Sequence, residues 1–294
     1  MKKSLSFILL MVGAPFFIVM AESSSGEGSA GQYRVPRGLA YSDSGDFGKL
    51  DLFLPEPTGR AKPGVIVIQG GGFRAQGGQK FIPFAEYLAQ HGIATARIGF
   101  RGQPEYLYQT TVFDAKRAVR FVNRHSAKYH LNPHKIGAMG RSAALRAMTD
   151  DNEFNDSNAT SSPFSNRIPA AVGIAGVDDF VARFESEEQR ILHPQLEAKV
   201  LSNGEWIGTP FAPTDAPCRS ASALAHLDRS DPPILLLRAR DDQTVPWPQS
   251  REMHRALTTA GLMGELHLRE TGGHRGPTDS KERRVVFFQC AFHA

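Results

Sequence analysis

Lys135-Ile136-Gly137-Ala138-Met139-Gly140-Arg141-Ser142-Ala143-Ala144-Leu145 is the stretch on which the reading of the fold turns. Ile136 to Met139 is a short apolar run of strand character, and the residues from Ser142 onward read as helical. Between them sits Gly140-Arg141-Ser142-Ala143-Ala144, a serine on a sharp strand-to-helix turn. Such a turn needs small residues two before and two after the serine, so that strand and helix can approach closely. Gly140 meets that need, whereas Ala144 stands where glycine is usual, and its methyl group either fits or opens the turn. Taken alone, the same residues also suit a helix N-cap serine.

Working outward, short β-rich runs alternate with longer helical ones. Leu50 to Leu54 alternates as a strand, and Val65-Ile66-Val67-Ile68 is a continuous β-branched run of the kind buried on both faces of a parallel sheet. Helix follows over Phe81 to His91, strand over Ile93 to Ile98, and helix again over Thr111 to His125, with Val112, Ala115, Val119 and Val122 on one stripe. Further strands are expected at Ala170 to Ala175, Ile234 to Leu237 and Glu265 to Arg269, and further helices at Pro248 to Ala260 and Lys281 to Phe292. This rhythm predicts an α/β fold with a doubly wound, mostly parallel sheet. One domain over 33–294 accounts for every connection. The long stretch Asp178 to Ala216 reads as an irregular insertion, a small cap over the carboxyl edge of the sheet, where such folds bind ligands.

Three further elements carry chemistry. Gln69-Gly70-Gly71-Gly72-Phe73 follows a buried strand, and its glycines bare the backbone so that N–H groups can point at a substrate oxygen. Gly70-x-Gly72-x-x-Ala75 also satisfies a relaxed dinucleotide-binding pattern, but the next strand ends in Ile98-Gly99-Phe100-Arg101 without the acid that pattern requires; Arg101 would suit only a phosphorylated cofactor. Asp242 lies just past the strand Ile234 to Leu237, placed to orient a histidine, with Asp241 its competitor as a solvent-facing turn residue. His274 lies in Gly272-Gly273-His274-Arg275-Gly276 after the last strand. Ser142, Asp242, His274, each after a strand, is the chain order of an α/β-hydrolase triad.

Other residues read as structural. His125, His130 and His134 fit no metal-ligand spacing, Asp178 and Asp179 read as a helix N-cap pair, and Asp114 as a structural acid. Asn155-Asp156-Ser157 and Asn158-Ala159-Thr160 have the form of glycosylation sequons. The 294 residues are 41% hydrophobic and 22% charged, which excludes disorder, collagen and coiled coil. The net charge of +4 is spread without a Lys/Arg block, so no nucleic-acid partner is expected. Met1-Lys2-Lys3 followed by the uncharged run Leu5 to Ala21 reads as a secretory signal over 1–21, cleaved before Glu22, and 22–32 as a flexible lead-in. Half of the net charge, Lys2 and Lys3, leaves with that signal. The protein is then secreted or periplasmic, touching a membrane only through an uncleaved signal. Cys218 and Cys290, the two cysteines, read as buried unpaired thiols, with a disulfide as the alternative.

From about Tyr41 to His274 the chain resembles exported bacterial α/β-hydrolases related to acetyl-xylan and feruloyl esterases and, more distantly, the hormone-sensitive-lipase branch. The resemblance rests on Leu50 to Pro55, Gln69 to Phe73, Phe113 to Val122, Lys135 to Ala143, Asp231 to Leu235, Asp242 to Pro246 and Gly272 to His274. It implies Ser142 as nucleophile, His274 as general base, Asp242 as its orienter, and the N–H groups of Gly71, Gly72 and Ala143 as oxyanion hole. It further implies a carboxylesterase of small acyl esters, acetyl or feruloyl groups on polysaccharide among them, working without metal or organic cofactor. The departures are Gln69 for the family's His, Ala144-Leu145 for Gly-Gly, and Arg238-Ala239-Arg240 for His-Gly. Two alternatives stand beside this reading: a hydrolase-fold binding protein with little or no turnover, and a serine peptidase of the same fold.

Overall fold

Val65 and Val67 pack on one side of the sheet and Ile66 and Ile68 on the other, as the two-residue period of a strand requires. The computed structural model describes residues 31–77, 80–148, 165–193, 196–209 and 215–293. The signal reading, most of the lead-in and both sequons fall outside the described residues. The strands are β1 (Tyr33–Arg34), β2 (Leu39–Ala40), β3 (Lys49–Pro55), β4 (Lys62–Ile68), β5 (Ala94–Ile98), β6 (Leu131–Gly140), β7 (Ala171–Ile174), β8 (Ile234–Ala239) and β9 (Gly264–Arg269). They form one sheet in the order β1-β3-β5-β4-β6-β7-β8-β9, with β2 pairing on β3. The pairs from β5 through β9 are parallel, and β1, β2 and β3 join antiparallel.

Nine helices accompany the strands among the described residues: α1 (Ile82–Gln90), α2 (Tyr108–Arg124), α3 (Ser142–Met148), α4 (Phe180–Glu185), α5 (Glu187–Leu192), α6 (Leu196–Ile207), α7 (Asp215–Ala221), α8 (Pro248–Thr259) and α9 (Ser280–His293). Leu88 of α1 and Phe288 of α9 join the core beneath Val65 and Val67. Val112 and Val119 of α2 and Met253 and Leu257 of α8 join the core over Ile66 and Ile68. The sheet is therefore wound on both faces, with strand direction fixing the chemistry at one edge. Ile68 pairs with Gly140, and Gly140 with Gly173, so the glycine turn, Ser142 and the loop after β7 emerge side by side.

The insertion differs from its reading as irregular, since α4, α5 and α6 lie within it and α7 begins there. Asp179 and Ser186 accept hydrogen bonds from Ala182 N–H and Gln189 N–H, each capping a helix of six residues. Helices that short cannot display a 3.6-residue period over enough turns to be read. Trp206 of α6 anchors this layer. Its side chain is fully buried, its ring stacks on Phe73 at 4.3 Å, and its Nε1 donates to Thr111 Oγ1 at 3.1 Å. Cys218 in α7 is buried while Cys290 in α9 is exposed, and the two form no disulfide. The expectation of two buried thiols is corrected at Cys290, because α9 packs only one of its faces onto the sheet.

Candidate active site

Gly140 ends β6 in a place where no side chain fits. A Cβ there would lie 2.3 Å from the Ile68 carbonyl oxygen and 2.8 Å from the Ala144 methyl group. The methyl of Ala144 is thus accommodated opposite a glycine, and the turn stays closed despite the departure at that position. Ser142 opens α3 almost fully buried, its Oγ accepting a hydrogen bond from Val177 N–H at 2.7 Å. Gly176 gives that serine its room, since a Cβ there would come within 2.9 Å of Ser142 N.

His274 stands on a single turn, Gly273–Arg275, between β9 and α9. Its Nδ1 lies 3.0 Å from Asp242 Oδ2. A carboxylate only accepts, so it holds the proton on Nδ1 and leaves Nε2 with its lone pair. Arg141 Nη1, 3.3 Å from the same nitrogen, then acts as a nearby positive charge, while its Nη2 donates to the His274 carbonyl oxygen at 2.7 Å. Burial lowers the His274 pKa below its ordinary value, and the charges of Arg141 and Arg238 lower it further against the upward pull of Asp242. Asp242 is raised by its own burial, but the hydrogen bond and charge of His274, Arg238 and the Thr244 N–H outweigh this, so it stays ionised. Its Oδ1 accepts from Thr244 N–H at 2.8 Å and Val245 N–H at 3.1 Å.

The glycine turn follows β4. Gly72 adopts φ +63°, and a Cβ on Gly71 would strike the Gln76 side chain. Gln69 Oε1 accepts from Lys80 N–H at 2.7 Å, so the glutamine ties the turn to the segment just ahead of α1. The turn, Ser142, Ala143 and His274 line one cavity of about 1190 Å³. Among the described residues no hydrogen bond joins Ser142 to His274; such bonds commonly tighten only once substrate is bound.

Several positions that set this geometry escaped the sequence reading. Arg238, fully buried, donates to Asp242 Oδ2 at 3.3 Å, to Ser250 Oγ at 3.0 Å and to the Val245 carbonyl oxygen at 3.0 Å. The residue that replaces the family's histidine therefore fastens the acid's loop. Asp241 is exposed as expected, yet its carboxylate accepts from Gly273 N–H at 2.7 Å and Gly272 N–H at 3.3 Å, holding the histidine turn. Gln249 Oε1 accepts from the N–H groups of Asp178 and Asp179, fixing the loop that faces Ser142. No local motif announces these bonds: apart from that between Arg238 and Asp242, each joins segments distant in sequence or a side chain to backbone.

Of the other residues singled out, Asp179 caps α4 but Asp178 does not; it is buried against Ser250, with its pKa pushed up to about 6 by that burial. Asp114 is buried and receives the Arg101 N–H, Nε and Nη2, so Arg101 is engaged in a structural pair. His130 and His134 lie at the amino end of β6, remote from the elbow at its carboxyl end, and His125 Nδ1 bonds to the Phe121 carbonyl oxygen. Among the described residues no group of three or more His, Cys, Asp or Glu is arranged to hold a metal ion.

Strand order, elbow and the carboxylate–imidazole pair together define an α/β-hydrolase fold, and the comparisons agree. Residues 50–257 match the BD-FAE family model, and the chain belongs to that family. Among solved structures it is similar to a truncated carbohydrate esterase from gut microbiota, with TM-score 0.76 and 21% identity, covering 92% of this chain and 100% of that one. It is also similar to an acetyl ester-xyloside bifunctional hydrolase from Caldicellulosiruptor lactoaceticus, with TM-score 0.65 and 21% identity over 83% of this chain and 86% of that one. Among curated proteins it is 29% identical over 224 residues to the Mycobacterium tuberculosis protein named "Probable carboxylic ester hydrolase LipM", covering 72% of this chain and 49% of the relative. It is 25% identical over 252 residues to the Arabidopsis thaliana protein named "Probable isoprenylcysteine alpha-carbonyl methylesterase ICMEL1", covering 82% and 51% respectively. The chain spans about half the length of these curated relatives.

Proposed function

We propose that the protein is a secreted serine carboxylesterase that hydrolyses small acyl esters, including acyl groups carried on carbohydrate. The observation that carries this reading is the 3.0 Å contact of the buried Asp242 with Nδ1 of His274, which lines one cavity together with Ser142 and a bared glycine turn. In the reaction, Ser142 Oγ attacks the ester carbonyl carbon while His274 Nε2 takes its proton. The carbonyl oxygen becomes an oxyanion held by the N–H groups of Gly71, Gly72 and Ala143. His274 returns the proton to the departing alkoxide, leaving an acyl group on Ser142. Water, deprotonated by the same imidazole, then attacks the acyl carbon; the bond from that carbon to Ser142 Oγ breaks, the imidazole passes its proton to Oγ, and the carboxylic acid leaves. The relatives named as ester hydrolases and the carbohydrate esterase likeness support this class of substrate.

A short-chain chromogenic ester offered to wild type and Ser142→Ala decides the mechanism. The variant is expected to lose at least about 10³-fold in kcat, together with all labelling by a fluorophosphonate probe. Equal rates in the two proteins would refute the serine mechanism. A second reading, a binding protein of this fold, is favoured by the Ser142 hydroxyl's engagement with Val177 N–H; it predicts no turnover of any ester by the wild type. Export rests on the segment 1–21, and a mature protein starting at Glu22 is the outcome that supports it.

A further inference from the structure

Among the described residues, every Lys, Arg, Asp or Glu side chain that lines the cavity around Ser142 is a cation. Three of its arginines, Arg141, Arg183 and Arg284, are largely or wholly buried, and four more cations, Lys80, Lys199, Arg275 and Lys281, are exposed around it. Among the described residues no Asp or Glu lines it. The buried three spend their donors on neutral groups. Arg141 bonds to the carbonyl oxygens of His274, Ile174 and Ala175. Arg284 bonds to the carbonyl and hydroxyl oxygens of Ser280, with its guanidinium 4.2 Å from the Phe84 ring centroid. Arg183 bonds to Asn203 Oδ1 and the Thr244 carbonyl oxygen, while its Nη1 has no partner at all.

Burying a guanidinium without a carboxylate is expensive, and a folded chain normally pairs it. Here burial has driven the pKa of each of the three arginines down to about 10, so each remains charged at neutral pH. The acid whose charge reaches Arg141 and Arg183, Asp242, is bonded to His274 and Arg238, and the one beside Arg284, Glu282, accepts from Tyr87 Oη; neither lines the cavity. Aromatic surface lies among these charges. Phe81, held at φ +65° where α1 begins, meets Phe84 edge-on with centroids 5.0 Å apart. Cations that no carboxylate hydrogen-bonds, set beside aromatic faces, form a surface suited to a ring that carries negative charge.

We propose that the substrate is an anionic ester: an acylated sugar that also bears a carboxylate or sulfate group, which the cavity arginines and rim lysines hold beside Ser142. This rests on the esterase reading and adds to it the charge of the substrate. Electrostatic focusing in a low-dielectric cleft raises the capture rate of such a molecule and fades as salt rises.

The test compares kcat/KM for O-acetyl glucuronate, O-acetyl glucose 6-sulfate and O-acetyl glucose. At low salt at least one anionic ester is expected to exceed the neutral one by about tenfold. The ratio should shrink as sodium chloride is raised, and shrink again in Lys281→Glu, an exposed position chosen so that folding survives. Whichever anionic ester leads identifies the group recognised. A ratio near one, or unaffected by salt and by Lys281→Glu, overturns the proposal while leaving the esterase intact. If no ester is hydrolysed, the esterase reading falls, and calorimetric titration of Ser142→Ala with the same three compounds decides the anion site. Tighter binding of an anionic sugar than of the neutral one supports it; equal or absent binding overturns it.

Discussion

At the residue scale, the imidazole of His274 is the group whose state governs the proposed reaction. It serves as a base only when neutral, and burial with Arg141 and Arg238 holds its pKa below the ordinary 6.5. Activity is therefore expected to persist as pH falls through 6.5 and to decline only below it, and an acid limb of kcat/KM at or above 6.5 would contradict this electrostatic account. Asp241 tests positioning separately from chemistry. It touches no reacting atom, yet two N–H groups of the histidine turn depend on it. Asp241→Ala should lower kcat/KM by about tenfold or more, through misplacement of the imidazole, with little change in melting temperature because the residue is exposed. Asp241→Asn, which keeps an accepting oxygen, should recover part of the loss; a loss of stability matching the loss of rate would mark the role as merely structural. Asp242 and His274 were legible because each follows a strand and is framed by turn residues. Arg238, Asp241 and Gln249 were not, since a charged or polar residue in sequence does not disclose which distant backbone it bonds.

At the scale of elements, the continuous apolar runs and the long amphipathic helices were readable because their periods extend over several repeats. Helix α2 begins three residues before its expected start, at Tyr108, directly after Leu107 in extended backbone. The insertion was not readable, and yet its helix α6 connects to the site. Trp206 stacks on Phe73, the residue that closes the glycine turn, and donates to Thr111 on α2. Trp206→Ala is expected to destabilise the protein by about 3–5 kcal/mol, as truncation of a buried aromatic does. Because the cavity would open beneath the glycine turn, kcat at temperatures well below melting should also fall. Chemical denaturation and steady-state kinetics on the same preparation check both. A stability loss with unchanged kcat would mean that α6 supports the fold without setting the turn.

At the scale of the whole molecule, one sheet edge gathers a dense group of buried charges of both signs. Arg141, Arg183 and Arg238 stand among two buried carboxylates, Asp242 and Asp178, and only Asp242 is held below its ordinary pKa. Asp178 is raised from 3.8 to about 6, chiefly by burial and against the pull of Arg238 and Ser250; its Oδ1 accepts no hydrogen bond. A carboxyl whose folded pKa lies above its unfolded value contributes stability that is fully present below about pH 3.8 and lost as pH rises through about 6. The shift of about two pH units corresponds to about 3 kcal/mol of stability forgone at neutral pH. Asp178→Asn removes that titration. Denaturant unfolding of both proteins from pH 4 to pH 8 should show the variant gaining relative to wild type by about 2.5 kcal/mol across that range. Because the other titrating groups are common to both proteins, they cancel in the difference. A difference that stays flat with pH would mean that Asp178 is ionised throughout, fully compensated by Arg238.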